Sequence, residues 1–544
     1  MKSSTENNPL TRRSFLVGAG ALAGIAAAGL AGCTPSGSAG SSAAAGGTFD
    51  EEWDIIIVGS GIAGLSAAIT VANEGNDEKC LMIEKGRNGA SGCSPVCDGW
   101  WLGANDGVEY PVQYLKDCAT TPIGQSIPDD VLEAFAKGIT ENTDWVLNLA
   151  PELTEDHFET FNGTFEGSPT KAEWREFDNA PTAKTHLNPE NEYPNDHIFN
   201  VLNNYFENSC TEAVTRRNNM PLESLIVDPE GAVVGLIADG KRYKANKAVI
   251  MACGGYENNP EWMEGYCGVG ASKTRCMGSN TGDGHKAVMK VGADLWHMHN
   301  CAGFAMAPRD LKNEKWANII GFEEQKQYGI TVAKNGRRFY MDWDGIDINR
   351  DEENDEWSMG RLDLHVGARH GLMQFGGEWN HLPMPSIAWF VFDQDGYENG
   401  AFDFEYTNCD DPVGDGWLYM ADTIEGLADL CGVPADQLSK TVNTWNEFCD
   451  GGEDLAFFRP KSTLNKVAKA PFYAQLCNPQ HLNTDGGPVR NANGQIMSVN
   501  GEPIPGLYAA GEFGSVWGHH YQGCGNVAEA MAFGRISARS VIAL

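Results

Sequence analysis

Residues 53–64 read Trp53-Asp54-Ile55-Ile56-Ile57-Val58-Gly59-Ser60-Gly61-Ile62-Ala63-Gly64. The run 53–58 is short, apolar and β-branched, as expected of a strand buried in a parallel sheet. Glycines at 59, 61 and 64 follow at once, then a helical pattern from Leu65 to Glu74. Beyond it, Cys80-Leu81-Met82-Ile83 reads as a second strand ending at Glu84. Strand, GxGxxG, helix, strand, acid is the order of a dinucleotide-binding unit. The glycines let a backbone approach a pyrophosphate, and the helix N-terminus offers N–H donors and its dipole. Glu84 is placed to accept from a ribose 2′-OH. The plain alternative is a Gly-rich turn without a ligand, and the complete unit around it argues against that.

Four later stretches decide which dinucleotide. Ala248-Val249-Ile250-Met251-Ala252-Cys253-Gly254-Gly255 is a strand running into a glycine pair. Asn280-Thr281-Gly282-Asp283-Gly284 is a polar turn opening a helix. Ile504 to Glu512 is a strand ending in Gly511-Glu512, and Gly525-Asn526-Val527 opens a last helix through Gly534 and Arg535. Together these resemble the flavoprotein subunit of the fumarate reductase/succinate dehydrogenase superfamily, over nearly all of residues 50–544. The resemblance implies FAD. It puts Gly59, Ser60, Gly61, Ala63, Gly64, Glu84, Lys85, Ser91, Gly92, Gly254, Asp283, Gly511, Glu512, Asn526 and Val527 at the cofactor. The implied fold is α/β: a Rossmann-like FAD-binding domain with an inserted α+β capping domain.

Covalent flavin attachment in that superfamily uses a histidine shortly after the second strand. Here the stretch is Asn88-Gly89-Ala90-Ser91-Gly92-Cys93, with no histidine, so non-covalent FAD is expected. Cys93 and Cys97 form a CxxxC near the expected flavin. An iron–sulfur ligand or redox pair is the sharper interpretation, and small packing residues are the preferred one. No metal ligand set is expected. The chain has 15 cysteines, without a CxxCH haem site or a paired CxxC ribbon, and mostly free thiols are expected.

Length and charge set outer bounds. A chain of 544 residues requires two or three units, or one large domain with an insertion. With 39 basic and 74 acidic residues the net charge is −35, which argues against nucleic acid and against a polybasic grip on lipid. The N-terminus is an address. Thr11-Arg12-Arg13-Ser14-Phe15-Leu16 resembles a twin-arginine export signal, and the apolar run from Val17 to Leu30 is short for a membrane span. Leu30-Ala31-Gly32-Cys33 resembles a bacterial lipobox, so lipidation at Cys33 is expected; cleavage without lipid is the alternative. Residues 34–49 form a Gly/Ser/Ala tether with a reach of about 20 Å. The expected location is therefore extracytoplasmic, at the membrane through a lipid anchor only.

The expected organisation is a signal segment at 1–33, the linker, an FAD domain at 50–300 and 470–544, and a capping domain at 301–469. The last holds Trp316, Trp343, Trp357, Trp379, Trp389 and Trp417, most of them expected to pack in its core. By resemblance the cap closes over flavin and substrate and excludes water. No second redox carrier is legible. Electrons are expected from a membrane-linked partner, a cytochrome or a flavinylated carrier.

Fumarate reductases hold two carboxylates with arginines and histidines, since a guanidinium matches a carboxylate. One such histidine precedes a Thr-x-Gly-Gly turn. Here the turn is Thr484-Asp485-Gly486-Gly487, with Asn483 before it and His481 two residues earlier still. An arginine of the C-terminal Gly-rich loop is replaced by Tyr521-Gln522, and a third histidine is not found near Phe304. The loop Gly518-His519-His520-Tyr521-Gln522-Gly523-Cys524-Gly525-Asn526 resembles instead the 3-ketosteroid dehydrogenases. There a tyrosine and the N–H of the glycine four residues later hold a carbonyl oxygen, which Tyr521 and Gly525 match. Such donors stabilise an enolate-like oxygen. Thr484 and His520 are further candidate substrate contacts; for His519 and His520 simple packing is the alternative.

The superfamily's proton donor is an arginine after a Gly-x-Arg-Phe turn. Here the turn is Asn335-Gly336-Arg337-Arg338-Phe339, and Arg350-Asp351 is the nearest downstream pair, at longer spacing. Arg350 is the candidate donor, against a surface ion pair. The dehydrogenases use a tyrosine soon after that turn, where this chain has Asp342-Trp343-Asp344-Gly345. The expectation is an exported FAD-dependent reductase of an activated C=C bond in a steroid-like or aromatic α,β-unsaturated carbonyl compound, serving anaerobic respiration. A 3-ketosteroid-type dehydrogenase, a fumarate/urocanate-like reductase and a flavin electron-transfer protein are the alternatives.

Overall fold

A computed structural model describes Ala43–Ala44 and residues 47–544, except 98, 100, 103–111, 121–126, 152–159, 162–184, 187–196, 270–271, 275, 303–304, 310–323, 341, 343–349, 352–355, 358–384, 408, 460 and 519. The segments read as export signal and lipidation site, His519, and Trp316, Trp343 and Trp379 thus lie outside the described residues. No helix among the described residues is long and apolar enough to cross a membrane.

The opening stretch folds as its pattern dictates. β1 (Glu51–Val58) leads through the glycine turn into α1 (Ile62–Glu74), and β2 (Cys80–Ile83) lies parallel beside β1. Ile55, Ile56 and Ile57 are fully buried, because the sheet is covered on both faces. Each such side chain contributes about 1.5–3 kcal/mol of burial. The helix α2 (Asp129–Leu149) packs behind the sheet. Three further strands, β3 (Val214–Arg217), β4 (Leu222–Val227) and β5 (Val233–Ala238), precede the long β6 (Lys241–Met251). β3 extends the parallel run beyond β2. β6 is parallel to β1, while its first half pairs antiparallel with β5. The next helix, α3 (Asp283–Lys290), follows the Thr281-Gly282 turn.

A second, six-stranded sheet occupies the middle of the chain. Its members are the short strand Lys273–Thr274, β7 (Ala305–Pro308), β8 (Gly329–Ala333), β9 (Ala388–Phe392), β10 (Leu418–Ala421) and β11 (Phe472–His481). β11 is its spine, pairing antiparallel with β7, β9 and β10. Helices α4 (Ile424–Cys431) and α5 (Ala435–Gly451) cover one face through Leu427, Leu438, Val442 and Trp445. Trp389 and Trp417 are core residues, as expected of the tryptophans in this segment. Beneath them Arg459 and Arg338 share the buried carboxylates of Asp342 and Asp454.

The chain then returns to the first sheet. β12 (Gln495–Met497) pairs with β13 (Pro503–Ala509), which lies parallel to the end of β6. The last helix, α6 (Gly525–Ile542), lies against α1 and α2. Small residues allow this: a Cβ on Gly534 would stand 2.6 Å from the Ala63 carbonyl, and one on Gly138 would stand 2.6 Å from Ala532 Cβ. Arg535 is buried and donates to Gly138 O (2.8 Å) and Asn142 Oδ1 (2.6 Å), fixing α6 on α2.

Candidate active site

The carboxyl ends of β1, β2, β6 and β13 open on one cleft of about 1020 Å³, counting its open mouth. Of the residues expected at the cofactor, Gly59, Ser60, Gly61, Ala63, Glu84, Lys85, Gly92, Gly254, Asp283, Gly511, Glu512, Asn526 and Val527 line it. They come from segments up to 468 residues apart in the chain (59 to 527). Gly64 and Ser91 stand behind the wall. A Cβ on Gly64 would sit 2.0 Å from the Gly59 carbonyl, so this glycine serves close helix–strand packing. Ser91 Oγ donates to Ser279 Oγ at 2.7 Å and tightens the loop.

The cleft suits a dinucleotide. Gly59 has φ +104°, and a Cβ there would lie 2.2 Å from the Ala252 carbonyl. Gly61 caps α1 without a side chain; Ser94 Oγ takes the Ile62 N–H at 3.0 Å, and the helix N-terminus beyond it turns its positive end to the cleft. Glu84 is buried, as an acid facing a ribose should be, but it is heavily engaged. Oε2 accepts from Ser60 N (3.0 Å) and Oγ (2.9 Å), and Oε1 from Gly86 N (2.6 Å) and Ser91 Oγ (3.3 Å). Lys85 is the one cation of the described lining, and it closes the far wall. Its Nζ donates to Ser279 O, Thr281 Oγ1 and Asp283 Oδ2 at 2.7, 2.8 and 2.7 Å.

Beside the cleft lies a polar cluster with Asp485 as its hub. Its Oδ1 accepts from Asn526 Nδ2 (3.1 Å) and Asn483 Nδ2 (3.2 Å), and its Oδ2 from Asn300 Nδ2 (3.2 Å). Asn300 also donates to Trp517 O at 2.8 Å, and Ser515 N to Asp485 O at 3.0 Å. His297 Nε2 meets Ser515 O at 2.7 Å; burial pulls its pKa down to about 3, so it is a neutral donor. Underneath, the fully buried pair Arg490–Glu529 holds the same loop. Glu529 accepts from Ser515 Oγ (2.7 Å) and Val516 N (3.0 Å).

Two further acids stand near. Glu257 is buried, and burial pushes its pKa up to about 7. Glu512 on the cleft wall is pushed well above the carboxylate range by burial, then by the charges of Glu257 and Asp485.

The candidate substrate residues fare unequally. Tyr521 is 6% exposed, and its hydroxyl accepts from Asn526 N at 3.1 Å, at the N-terminus of α6. The Gly525 N–H, expected to face a substrate carbonyl, instead donates to Gln522 O at 3.0 Å. The tight turn into α6 imposes this, with Cys524 left-handed at φ 70°. Gly525 is required for another reason: a Cβ there would lie 2.3 Å from the Trp517 indole. Thr484 is also corrected. Its buried Oγ1 accepts from Tyr256 N (2.9 Å) and donates to Glu257 Oε2 (3.1 Å), so it braces the glycine pair rather than a substrate. His520 is half-buried, and its backbone N–H donates to Cys118 O at 3.0 Å. Arg350 lies on a two-residue strand paired with Trp357, and its side chain lies outside the description.

The thiols bring another correction. Cys93 is bonded to Cys276, across 183 residues, and not to Cys97. Cys97 Sγ lies 3.6 Å from His197 Nε2. The twelve other described cysteines are free, as expected of most of them. Nothing in the sequence singles out Cys276. His297, which follows the Gly292-Ala293 step, was missed: a histidine was sought near Phe304 and not found there.

Comparison with known proteins agrees with this geometry. The family model described as an FAD binding domain matches residues 54–527. A digoxin reductase of Eggerthella lenta is 28% identical, over 98% of this chain and 97% of that one. A 3-oxosteroid 1-dehydrogenase of Mycolicibacterium smegmatis is 25% identical, over 91% and 98%. The open conformation of a flavocytochrome c3 fumarate reductase shares the fold, with a TM-score of 0.64 at 21% identity over 100% of this chain and 82% of that one. The chain therefore belongs to the FAD-binding domain family and is an FAD-dependent oxidoreductase.

Proposed function

We propose that this enzyme reduces the activated C=C bond of a neutral α,β-unsaturated carbonyl compound, steroid-like or aromatic. The observation that carries this is electrostatic. Burial, and after it the charges of Glu257 and Asp485 beside the cleft, raises the proton affinity of Glu512 on the cleft wall, and the described lining holds no arginine. A dicarboxylate brought there would find no guanidinium in the described lining to hold it. A neutral carbonyl compound needs none. Relatives named for digoxin and for a 3-oxosteroid support a bulky neutral substrate.

FAD, bound without a covalent link, supplies two-electron hydride chemistry. The chain's own residues bind and orient the substrate. Tyr521 is the donor to the substrate carbonyl oxygen. Its phenol oxygen accepts an N–H of the first turn of α6, and the positive end of the helix favours negative charge building on an oxygen that the phenol contacts. Arg350 gives the proton to the α carbon. The aromatic-rich second sheet and its helices exclude water from the reacting atoms. Twin-arginine export, lipidation at Cys33 and a membrane-linked cytochrome or flavinylated carrier as electron donor complete the proposal.

The test is anaerobic oxidation of reduced viologen by the FAD-loaded protein, against fumarate, urocanate, cinnamates, an enone steroid and an unsaturated lactone. Turnover of a neutral acceptor without turnover of fumarate is expected. Fumarate turnover overturns the proposal.

A further inference from the structure

We propose that Cys93 and Cys276 form a redox-active disulfide in the wall of the FAD cleft, which exchanges two electrons with an external dithiol while Glu257 carries the proton for Cys93. The proposed reduction of a C=C bond makes no use of this pair.

Three observations carry it. The bond links the two walls of the cleft. Cys93 lines it directly, at the start of the Ser94–Val96 turn, and Cys276 leads into the Ser279–Asp283 wall. Cys93 and Cys276 are both half-buried, and Cys276 sits on the loop that carries the exposed Met277 (43%). In the proposed exchange Cys276, on that loop, is the sulfur attacked, and Cys93, which lines the cleft, is the leaving sulfur.

The third observation is that the same placement serves the reduced pair. Cys93 Sγ is 3.1 Å from Glu257 Oε1, and Cys276 Sγ is 3.2 Å from the Leu482 carbonyl. A disulfide sulfur has no hydrogen to donate, but each thiol would find its acceptor already in place. Glu257 is held in position by Asn280 Nδ2 at 2.5 Å and Thr484 Oγ1 at 3.1 Å. The titratable groups facing it are Cys93, Cys276, whose sulfur lies within 4.8 Å of the carboxylate, and Glu512, and the His481 ring is turned towards its backbone. With its pKa pushed up to about 7 by burial, Glu257 can hold a proton at neutral pH and give it up.

The exchange balances. An external thiolate attacks Cys276 Sγ, the S–S bond breaks, and Cys93 leaves as a thiolate that takes the proton of Glu257. The second external thiol then attacks the mixed disulfide and releases Cys276 as a thiol, and solvent returns a proton to Glu257. The dithiol is oxidised to its disulfide, and the protein gains two thiols and two electrons.

The experiment uses the full FAD-loaded chain, with alkylation at Cys93 and Cys276 read by mass spectrometry. Both positions should be unlabelled in the oxidised protein. Both should label after dithiothreitol, while flavin absorbance and circular dichroism stay native. Glu257→Gln should slow this reduction at least about tenfold and remove a pH inflection near 7 from its rate. Cys276→Ser keeps the test independent of that variant's folding: Cys93 should then label without any reductant. Three results would each overturn the proposal: labelling of both positions before reduction, a bond that yields only on unfolding, or a Glu257→Gln rate profile equal to the unaltered protein's.

Discussion

The Tyr521 hydroxyl accepts the backbone N–H of Asn526 at 3.1 Å, so the phenol is tied to the first turn of α6. That single bond makes Tyr521 both a helix cap and the candidate substrate donor. Tyr521→Phe should separate the two roles. Loss of the cap should cost about 1 kcal/mol of stability. Loss of a donor to a developing oxyanion should lower kcat by 10²–10³-fold, on the order measured for such donors, with KM little changed. Steady-state kinetics beside a thermal melt checks both. A fall in stability with unaltered kcat would leave Tyr521 as a cap alone.

Glycine 59 offers a sharper test of the cofactor cleft. Its φ of +104° and the Ala252 carbonyl 2.2 Å from a built Cβ leave no room for a side chain. Gly59→Ala should therefore yield protein without bound FAD. At Gly61 the obstructing atom, 2.8 Å away, is the hydroxyl of Ser94, which can rotate. Gly61→Ala should weaken FAD binding by a smaller factor. Flavin content per chain and fluorescence titration measure the difference.

The Arg490–Glu529 pair is buried completely beneath the 515–517 loop. Glu529→Ala leaves a buried guanidinium uncompensated, which typically costs about 3–5 kcal/mol. Val516 N and Ser515 Oγ lose their acceptor as well. A large drop in melting temperature is expected, and Glu529→Gln should recover part of it because the amide still accepts from Val516 N. Equal melting temperatures for the two variants would refute this account.

These cases show where the sequence was informative. The β1–α1–β2 unit was legible because the buried strand, the glycine spacing and the terminal acid are all local. The same holds for the later glycine turns, whose backbone demands leave few residue choices. The polar hub around Asp485 was not legible, since Asn300, Asn526 and Asp485 meet only through tertiary folding. The Gly525 N–H was misassigned because the spacing to Tyr521 is silent about the turn that gives this N–H to Gln522. The Cys93–Cys276 bond joins segments with no sequence relationship at all.

Arg350 is the residue whose role depends most on chemistry. Arg350→Ala should abolish turnover of every acceptor while FAD content and fold are retained, if it gives the proton. A residue that only balances Asp351 on the surface would change turnover less than about tenfold, since exposed ion pairs are worth 1 kcal/mol or less. Arg350→Lys should restore little, because the ammonium lacks the planar fork of the guanidinium.

Glu257 makes a prediction about pH. Its folded pKa of about 7 lies above the ordinary 4.5, so the folded protein holds this proton more tightly than the unfolded chain. The acid therefore costs nothing below pH 4.5. Its penalty grows as pH rises and is complete above about 7, where it reaches at most about 3 kcal/mol. Glu512, shifted in the same direction, adds a penalty of the same sign. Glu257→Gln removes the titrating group and keeps its shape. The melting temperature of the variant relative to the unaltered protein should climb between pH 4.5 and 7 and level off above. A difference that is flat across that range would show that Glu257 stays ionised in the folded protein.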